Sequence, residues 1–196
     1  MRSENDKKIT DLLYAWHGLA QQGLDASQPR GIISARFEQL ATELGIPFDV
    51  HKHMQQIAAE GEQHPEPDYM ASRGEYLNGL LMAQLLNATF VDPAECILFD
   101  EEGALDNKTY AALAKRLKGD GLFVVPGFYG AMPDGRIKTF SRGGSDVTGA
   151  IVARASNSAL YENWTDVSGF RMADPKVVPH ARRIAEVTYR ELRELS

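Results

Sequence analysis

The sequence predicts an α/β chain whose strands are largely parallel. Three observations carry this. Up to about residue 88 the apolar residues recur at spacings of three and four, the period of amphipathic helices. Beyond that point short apolar runs alternate with helical stretches. One of those runs, Gly121-Leu-Phe-Val-Val-Pro126, is a short, fully apolar strand of the kind found inside a parallel sheet.

The elements follow in order. Ile9, Leu12, Leu13, Trp16 and Leu19 form one stripe and predict a helix that Gly23 stops. Residues 32–44 repeat the pattern with Phe37, Leu40 and Leu44, and Gly45-Ile46-Pro47 ends it. A weaker helix spans 48–60, and residues 61–68, with two prolines, predict a loop. From about 69 to 86, Tyr76, Leu77, Leu80, Leu81 and Leu85 cover so much of the helix that it is predicted to be buried. Phe90-Val91 and residues 96–99 predict short strands, and 107–117 a helix. Pro133-Asp-Gly135 is a hairpin turn signal, with 136–140 as the returning strand. Residues 145–156 predict a helix rich in small side chains, 160–163 a strand, 175–178 a loop, and a last helix starts near 189. Parallel α/β domains usually open on a central strand. This chain opens on a helix and stops inside an amphipathic pattern at Glu194-Leu-Ser196, so both ends read as cut.

Composition narrows the function. With 196 residues, 43% hydrophobic and 24% charged, the chain has material for one domain with a real core. Its 21 basic and 27 acidic residues give a net charge of −6. No basic surplus exists to neutralise phosphates, which argues against a general nucleic-acid or anionic-membrane binder but not against a local nucleotide pocket. The single cysteine, Cys96, excludes a disulfide framework and a zinc site built on several thiolates, and it is expected to be buried and inert. The longest apolar runs are too short to span a bilayer. Residues 1–8 are polar and charged and do not read as a secretory signal, so the expected compartment is the cytoplasm.

Three segments carry candidate chemistry. In Thr139-Phe-Ser-Arg-Gly-Gly-Ser-Asp146 a strand runs into a Gly-Gly turn and a helix starts at once. That arrangement aims backbone N–H groups and the positive end of a helix dipole at one spot, which suits a phosphate or carboxylate. Taken alone, the same residues read as an ordinary N-cap by Ser145 or Asp146. Thr165-Asp-Val-Ser-Gly169 and Ala173-Asp-Pro-Lys176 are polar loops after a predicted strand, where α/β domains place ligands; taken alone they are a pair of turns. Ser72-Arg-Gly-Glu75 places a carboxylate at the predicted start of the buried helix, as a capping-box acid or as a ligand for an ammonium. His51 and His53 have no third ligand at a fitting spacing and read as surface histidines. Asp100-Glu-Glu102 reads as a solvated acidic loop, Arg182-Arg183 and residues 190–194 as exposed helix charge, and Trp16 and Trp164 as packing residues.

Together, Phe123-Val-Val-Pro-Gly-Phe-Tyr-Gly130, Lys138-Thr-Phe-Ser-Arg-Gly-Gly-Ser-Asp146, Thr165-Asp-Val-Ser-Gly169 and Ala173-Asp-Pro-Lys-Val-Val178 resemble the aspartokinases of the amino acid kinase family, in order and spacing. Ser72-Arg-Gly-Glu75 is similar to that family's Ser-x-Gly-Glu, and Lys8-Ile-Thr-Asp-Leu-Leu13 to its substrate-side segment. The resemblance implies a three-layer α/β/α fold with an open, mostly parallel sheet. It implies transfer of the ATP γ-phosphoryl group to the side-chain carboxylate of L-aspartate, the first step toward lysine, threonine and methionine. The partners implied are L-aspartate and ATP with Mg²⁺ held mainly by the nucleotide phosphates, with a homo-oligomer in the full-length parent.

Residue by residue, the resemblance implies that Thr10, Glu75 and Arg142 hold aspartate, Glu75 taking the ammonium and Arg142 the α-carboxylate, with Ser145 assisting. It implies likewise that Gly143 and Gly144 lie by the phosphates and that Asp146 orients the catalytic lysines. It further implies that Thr165 and Asp166 contact the nucleotide, with Arg171 and Lys176 nearby. No residue is assigned to a protein-held metal. The family's opening Lys-Phe-Gly-Gly strand is not in this sequence, and neither are its regulatory ACT domains. Arg171 stands where an aromatic is often found, and Lys176 where arginine is usual. The expectation is the central part of an aspartokinase catalytic domain, cut at both ends. The alternative is a non-catalytic or split-subunit binding relative.

Overall fold

The structure is a computed structural model that describes residues 7–62, 64–141, 143–164, 171–173, 177–186 and 188. Its first compact unit runs to Tyr161. Four helices come first: α1 (Ile9–Gln21), α2 (Ser27–Leu44), α3 (Val50–Gly61) and α4 (Pro67–Leu85). Local chemistry sets their ends. The Lys8 N–H donates to the Asp11 carboxylate at 3.3 Å ahead of α1, and Asp49 accepts from the Lys52 N–H at 3.0 Å ahead of α3. Gly45 ends α2 in the left-handed conformation, and Pro67 opens α4 where no N–H is needed. The predicted loop before α4 is therefore shorter than its two prolines implied.

The apolar stripes of these helices make one core, with Leu13, Ile33, Leu77 and Leu81 wholly buried in it. Trp16 packs there as expected. The predicted burial of α4 holds at Leu77 and Leu81, while Tyr76 and Leu80 are half-buried and Leu85 is exposed; Tyr69, Met70, Ala71 and Ala83 are buried besides.

A second core of Val91, Cys96, Ile97, Leu113 and Ile151 begins just past residue 88, where the sequence pattern changes. It holds the α/β part. Strand β1 (Thr89–Phe90) pairs in parallel with β2 (Phe123–Val124), and α5 (Lys108–Arg116) lies in the crossover between them, as parallel pairing requires. Strands β3 (Tyr129–Ala131) and β4 (Ile137–Thr139) form the predicted hairpin around Pro133-Asp-Gly135. Helix α6 (Gly144–Ala155) follows. The α/β class holds; among the described residues the strands form two two-stranded sheets.

Some local expectations change. Residues 96–99 do not form a full strand. A 3-10 turn, Pro93–Glu95, occupies the approach, and only single bridges, Leu98 to Ala131 and Phe99 to Leu105, remain. The Asp92 side chain accepts from the Ala94 N–H at 2.9 Å and holds that turn in place of a ladder. Cys96 is buried as expected, and burial pushes its thiol up to about 11. Residues 160–163 form no strand. Asp100 is more than solvated charge, since it accepts from the N–H groups of Glu102 and Ala104 and closes a turn.

In the second unit, from Glu162 on, Trp164 is 87% exposed and is no packing residue. Arg183 lies not in a helix but in an antiparallel bridge with Arg171. The predicted helix from 189 and the charges of 190–194 fall outside the described residues. No helix among the described residues is long and apolar enough to cross a membrane.

Leu77 is wholly enclosed between the first core and the strands, so Leu77→Ala leaves a cavity. Urea unfolding of the chain is expected to show a loss of about 2–5 kcal/mol. A loss below about 1 kcal/mol would mean that α4 is not the central packing element.

Candidate functional site

Two adjoining cavities share one wall, and that wall carries Glu75. The first, of about 310 Å³, is lined by Thr10, Arg36, Gly74, Glu75, Asn78 and Phe128, among others. The second, of about 420 Å³, takes Glu75 and Asn78 again and adds Pro126, Gly127, Ser145 and Thr148. Thr10 comes from the first turn of α1, Arg36 from α2, Glu75 and Asn78 from α4, and Ser145 from the first turn of α6.

Glu75 lies well inside α4, two turns past its start at Pro67. A capping-box acid belongs in the first turn, so the capping reading is overturned and the side chain is left for the cavities. Among the described residues Glu75 makes no hydrogen bond or ion pair. Its outer surface meets solvent, yet the walls around it remove enough water to raise its pKa above the ordinary carboxylate value. A carboxylate with a raised pKa in a cleft is a common mark of a binding site for a cation or a proton.

The other end of the site is the start of α6. Gly143 is its N-cap in the left-handed conformation, φ 59°, which glycine adopts without the Cβ strain of other residues. Gly144 is buried at the first helical position. A Cβ on Gly127 would meet the Ser145 Cα at 2.8 Å, so the turn at 126–128 and the helix start touch backbone to backbone. Thr148 locks the two together. Its hydroxyl accepts from the Phe128 N–H at 3.2 Å and donates to the Gly144 carbonyl at 2.7 Å. The Phe140 N–H donates to the Phe128 carbonyl at 2.8 Å. Phe128 itself sits at φ 82°, an outlier for an aromatic residue. Strain of this kind persists only where the surroundings over-determine it, and it concentrates at ligand sites.

The hairpin that leads to this helix is clasped to α4. Asp68 accepts from the Thr139 N–H at 3.2 Å and from its hydroxyl at 3.1 Å. The hairpin strand that leads to the Gly-Gly turn is therefore held against the helix that carries Glu75. The donors gathered at the α6 terminus are backbone N–H groups and a hydroxyl, a set that binds anions.

The structure thus brings Thr10, Glu75 and Ser145 around one pair of cavities, with Gly143 and Gly144 at the adjoining helix start. Asp146 is exposed in the first turn of α6, where a carboxylate complements the helix dipole. Arg142, Thr165, Asp166 and Lys176 fall outside the described residues. Arg171 is exposed in the second unit, where Met172 donates its N–H to the Arg182 carbonyl at 2.9 Å. His51 pairs with Glu38 at 3.1 Å when protonated, and His53 stacks on Phe48, so neither faces these cavities.

Sequence reasoning missed Asn78, Arg36, Phe128 and Thr148. Asn78 had a usable signal, a polar residue three positions after Glu75 on a helix otherwise read as apolar. Arg36 had none, because its place at the cavity comes from packing of α2. It also donates from Nη1 to the Lys7 carbonyl at 2.6 Å, beside the turn that carries Thr10.

The sequence profile of the amino acid kinase family matches residues 7–196. Aspartokinase 3 of Bacillus subtilis is 35% identical over 97% of this chain, which covers 45% of that relative. The crystal structure of Clostridium acetobutylicum aspartate kinase superposes with a TM-score of 0.91 at 45% identity, over 99% of this chain and 45% of that one. Escherichia coli aspartokinase III, in complex with aspartate and ADP, superposes at 0.72 with 25% identity, over 91% of this chain and 45% of that one. The chain therefore spans under half the length of these relatives. On its sequence match and on a fold shared over nearly its whole length, the chain belongs to the amino acid kinase family.

Proposed function

We propose that this chain is part of the catalytic domain of a kinase that transfers the γ-phosphoryl group of ATP to the side-chain carboxylate of L-aspartate, giving 4-phospho-L-aspartate. One observation carries the reading. Glu75, a carboxylate without a partner among the described residues, shares one cavity with Thr10 and a second with Ser145 at the start of α6. An ammonium group fits the first feature and a phosphate or carboxylate fits the last, so an amino acid and a nucleotide can meet at their common wall. A solved relative in complex with aspartate and ADP supports the choice of ligands.

In this reading Glu75 takes the substrate ammonium and Arg142 holds the α-carboxylate as a planar fork. Thr10 and Ser145 complete the amino-acid side. The N–H groups at Gly143 and Gly144 face the phosphates, and Asp146 orients the lysines that neutralise them. Thr165, Asp166, Arg171 and Lys176 serve the nucleotide. As the family resemblance implies, Mg²⁺ is held mainly by the nucleotide phosphates. A cytoplasmic location and a homo-oligomer go with this reading.

The chemistry needs no general base. The nucleophile is a carboxylate with a solution pKa of about 3.9, already ionised at neutral pH. One of its oxygens forms the new bond to the γ-phosphorus. The bond from that phosphorus to the β–γ bridging oxygen breaks, and ADP leaves with the electron pair. The barrier is electrostatic, because one anion must approach another. Positioning, helix-terminal N–H groups, cationic side chains and the metal-bound phosphates lower it.

The intact protein that carries this sequence, given MgATP, L-aspartate and hydroxylamine, is expected to form aspartyl hydroxamate. Glu75→Gln is expected to raise KM for L-aspartate roughly 10- to 100-fold, the loss of one charged hydrogen bond, and to leave KM for MgATP unchanged. Turnover of another acid in place of aspartate would overturn the substrate assignment. Binding of both ligands without turnover would favour the non-catalytic relative.

Glu75 also predicts a pH effect. Its folded-state pKa is raised by burial, so the fold prefers the protonated acid. Its contribution to stability is full below the unfolded-state pKa, about 4.3, and is lost as pH rises through the folded value. Glu75→Gln is therefore expected to melt no lower than the unsubstituted chain at pH 8, with any gap closing at acid pH. A lower melting temperature at pH 8 would show that the ionised carboxylate is instead stabilised by the fold.

A further inference from the structure

Arg73 is only 4% exposed, and among the described residues no carboxylate lies within ion-pairing distance of its guanidinium. Burying an unpaired cation is unfavourable, so something else must hold it. Three tyrosine rings do. The guanidinium carbon stands 4.5 Å from the centroid of Tyr69, 4.6 Å from Tyr76 and 5.2 Å from Tyr129. Its Nε and Nη2 both donate to the Ser72 hydroxyl, at 3.0 and 2.9 Å, and that hydroxyl donates to the Tyr69 carbonyl at 2.6 Å.

The negative charge sits one step further out. Tyr69 donates its hydroxyl to Glu60 at 2.7 Å, and Tyr129 donates to Asp92 at 2.9 Å. A phenol that donates to a carboxylate becomes richer in electrons, which strengthens its ring as a partner for a cation. Burial raises the pKa of both phenols well above the usual value, so they remain donors throughout the working pH range.

The cage joins the two walls of the candidate site. Tyr69, Ser72, Arg73 and Tyr76 lie on α4, all within two turns of Glu75. Tyr129 opens β3 directly after Phe128, the strained residue on the opposite wall. Asp92 also caps the 3-10 turn, so the same carboxylate fixes Tyr129 to a third segment. In the Ser-x-Gly-Glu motif Arg73 stands at the open position, to which the resemblance gives no role.

We propose that Arg73 is a positioning residue that sets the placement of Glu75 against the Phe128 turn through this cage. The proposal rests on reading the cavity as an amino-acid site. Arg73 touches no substrate in this scheme; it acts through the register of α4 on β3. An apolar replacement of the same volume is often as stable as a buried polar assembly or more so, and the gain of this cage is in fixing one arrangement. Misplacement of binding groups by about 1 Å is enough to lower activity about 100-fold.

The test compares Arg73→Met, which keeps the bulk, Arg73→Lys, which keeps the charge without the planar fork, and Tyr129→Phe, which releases Asp92 and adds no cavity. Calorimetry on the intact protein measures L-aspartate and ADP separately, and hydrogen exchange follows the amides of residues 74–78 and 127–130 without ligand. Arg73→Met is expected to weaken aspartate binding about tenfold or more, with ADP binding within about twofold, and Arg73→Lys to recover part of the loss. Exchange in the two segments is expected to speed up while α1 to α3 keep their protection. Equal losses for both ligands, or exchange that rises evenly across the chain, would make Arg73 a general stabiliser and overturn the proposal. If Arg73→Met does not fold, Tyr129→Phe decides: unchanged exchange in 127–130 overturns the proposal, and a local rise supports it. If the unsubstituted protein binds no aspartate, the amino-acid reading fails on its own, and the exchange pattern still decides whether Arg73 ties the two walls.

Discussion

The enclosure of α4 is the constraint on which the rest of the structure depends. This helix packs against α1 on one side and against the strands on the other, so its side chains face protein over most of its circumference. Hydrophobic burial fixes its axis, with Leu77 and Leu81 wholly inside. A helix held that way presents any polar side chain at a defined place. Glu75 and Asn78 point into the cavities on its accessible side, and the Asp68 carboxylate near its start holds the Thr139 strand. One buried helix thus sets the position of the carboxylate, of the hairpin and, through the hairpin, of the helix start beyond it.

The second component is electrostatic, and it is created by backbone rather than by side chains. The turn at 126–128 approaches the first residues of α6 so closely that Gly127 has room for no Cβ. Thr148 bridges the two by one hydroxyl, and Phe128 beside it sits at positive φ. The strain and the tight packing have the same effect: they keep the N–H groups at the α6 terminus in a fixed direction. A fixed dipole stabilises developing negative charge without reorganising, which is worth most in a reaction between two anions.

The third component is the polar content of the core. Arg73 and Ser72 lie inside an otherwise apolar surface, with Glu60 and Asp92 reached only through tyrosine hydroxyls. An apolar side chain at position 73 would avoid the desolvation of a guanidinium. The cage gives instead a set of contacts with one geometry, because ring faces, a planar cation and short hydrogen bonds tolerate little sliding. That property has its use where two walls of a binding cavity must stay in register.

Much of this protein was legible in the sequence, and for identifiable reasons. Helix stripes with a period of 3.6, the change of pattern near residue 88, the hairpin at Pro133-Asp-Gly135 and the Gly-Gly helix start are all encoded within a few residues of one another. They specified the α/β class, and the four ordered motifs resembled the family that the comparisons show. Other features came only with the tertiary structure. A short apolar run at 96–99 read as a strand, but the Asp92-capped turn before it allowed only single bridges. Ser72-Arg-Gly-Glu75 allowed a cap, until Pro67 was seen to start the helix two turns earlier. Arg36 and Thr10 line one cavity with Glu75, Phe128 takes a positive φ, and Arg73 is caged by Tyr129 because segments far apart in sequence pack together. Local periodicity determines which face of an element is apolar; the neighbour that covers that face, and the side chains that meet there, are decided by the packing of the whole chain.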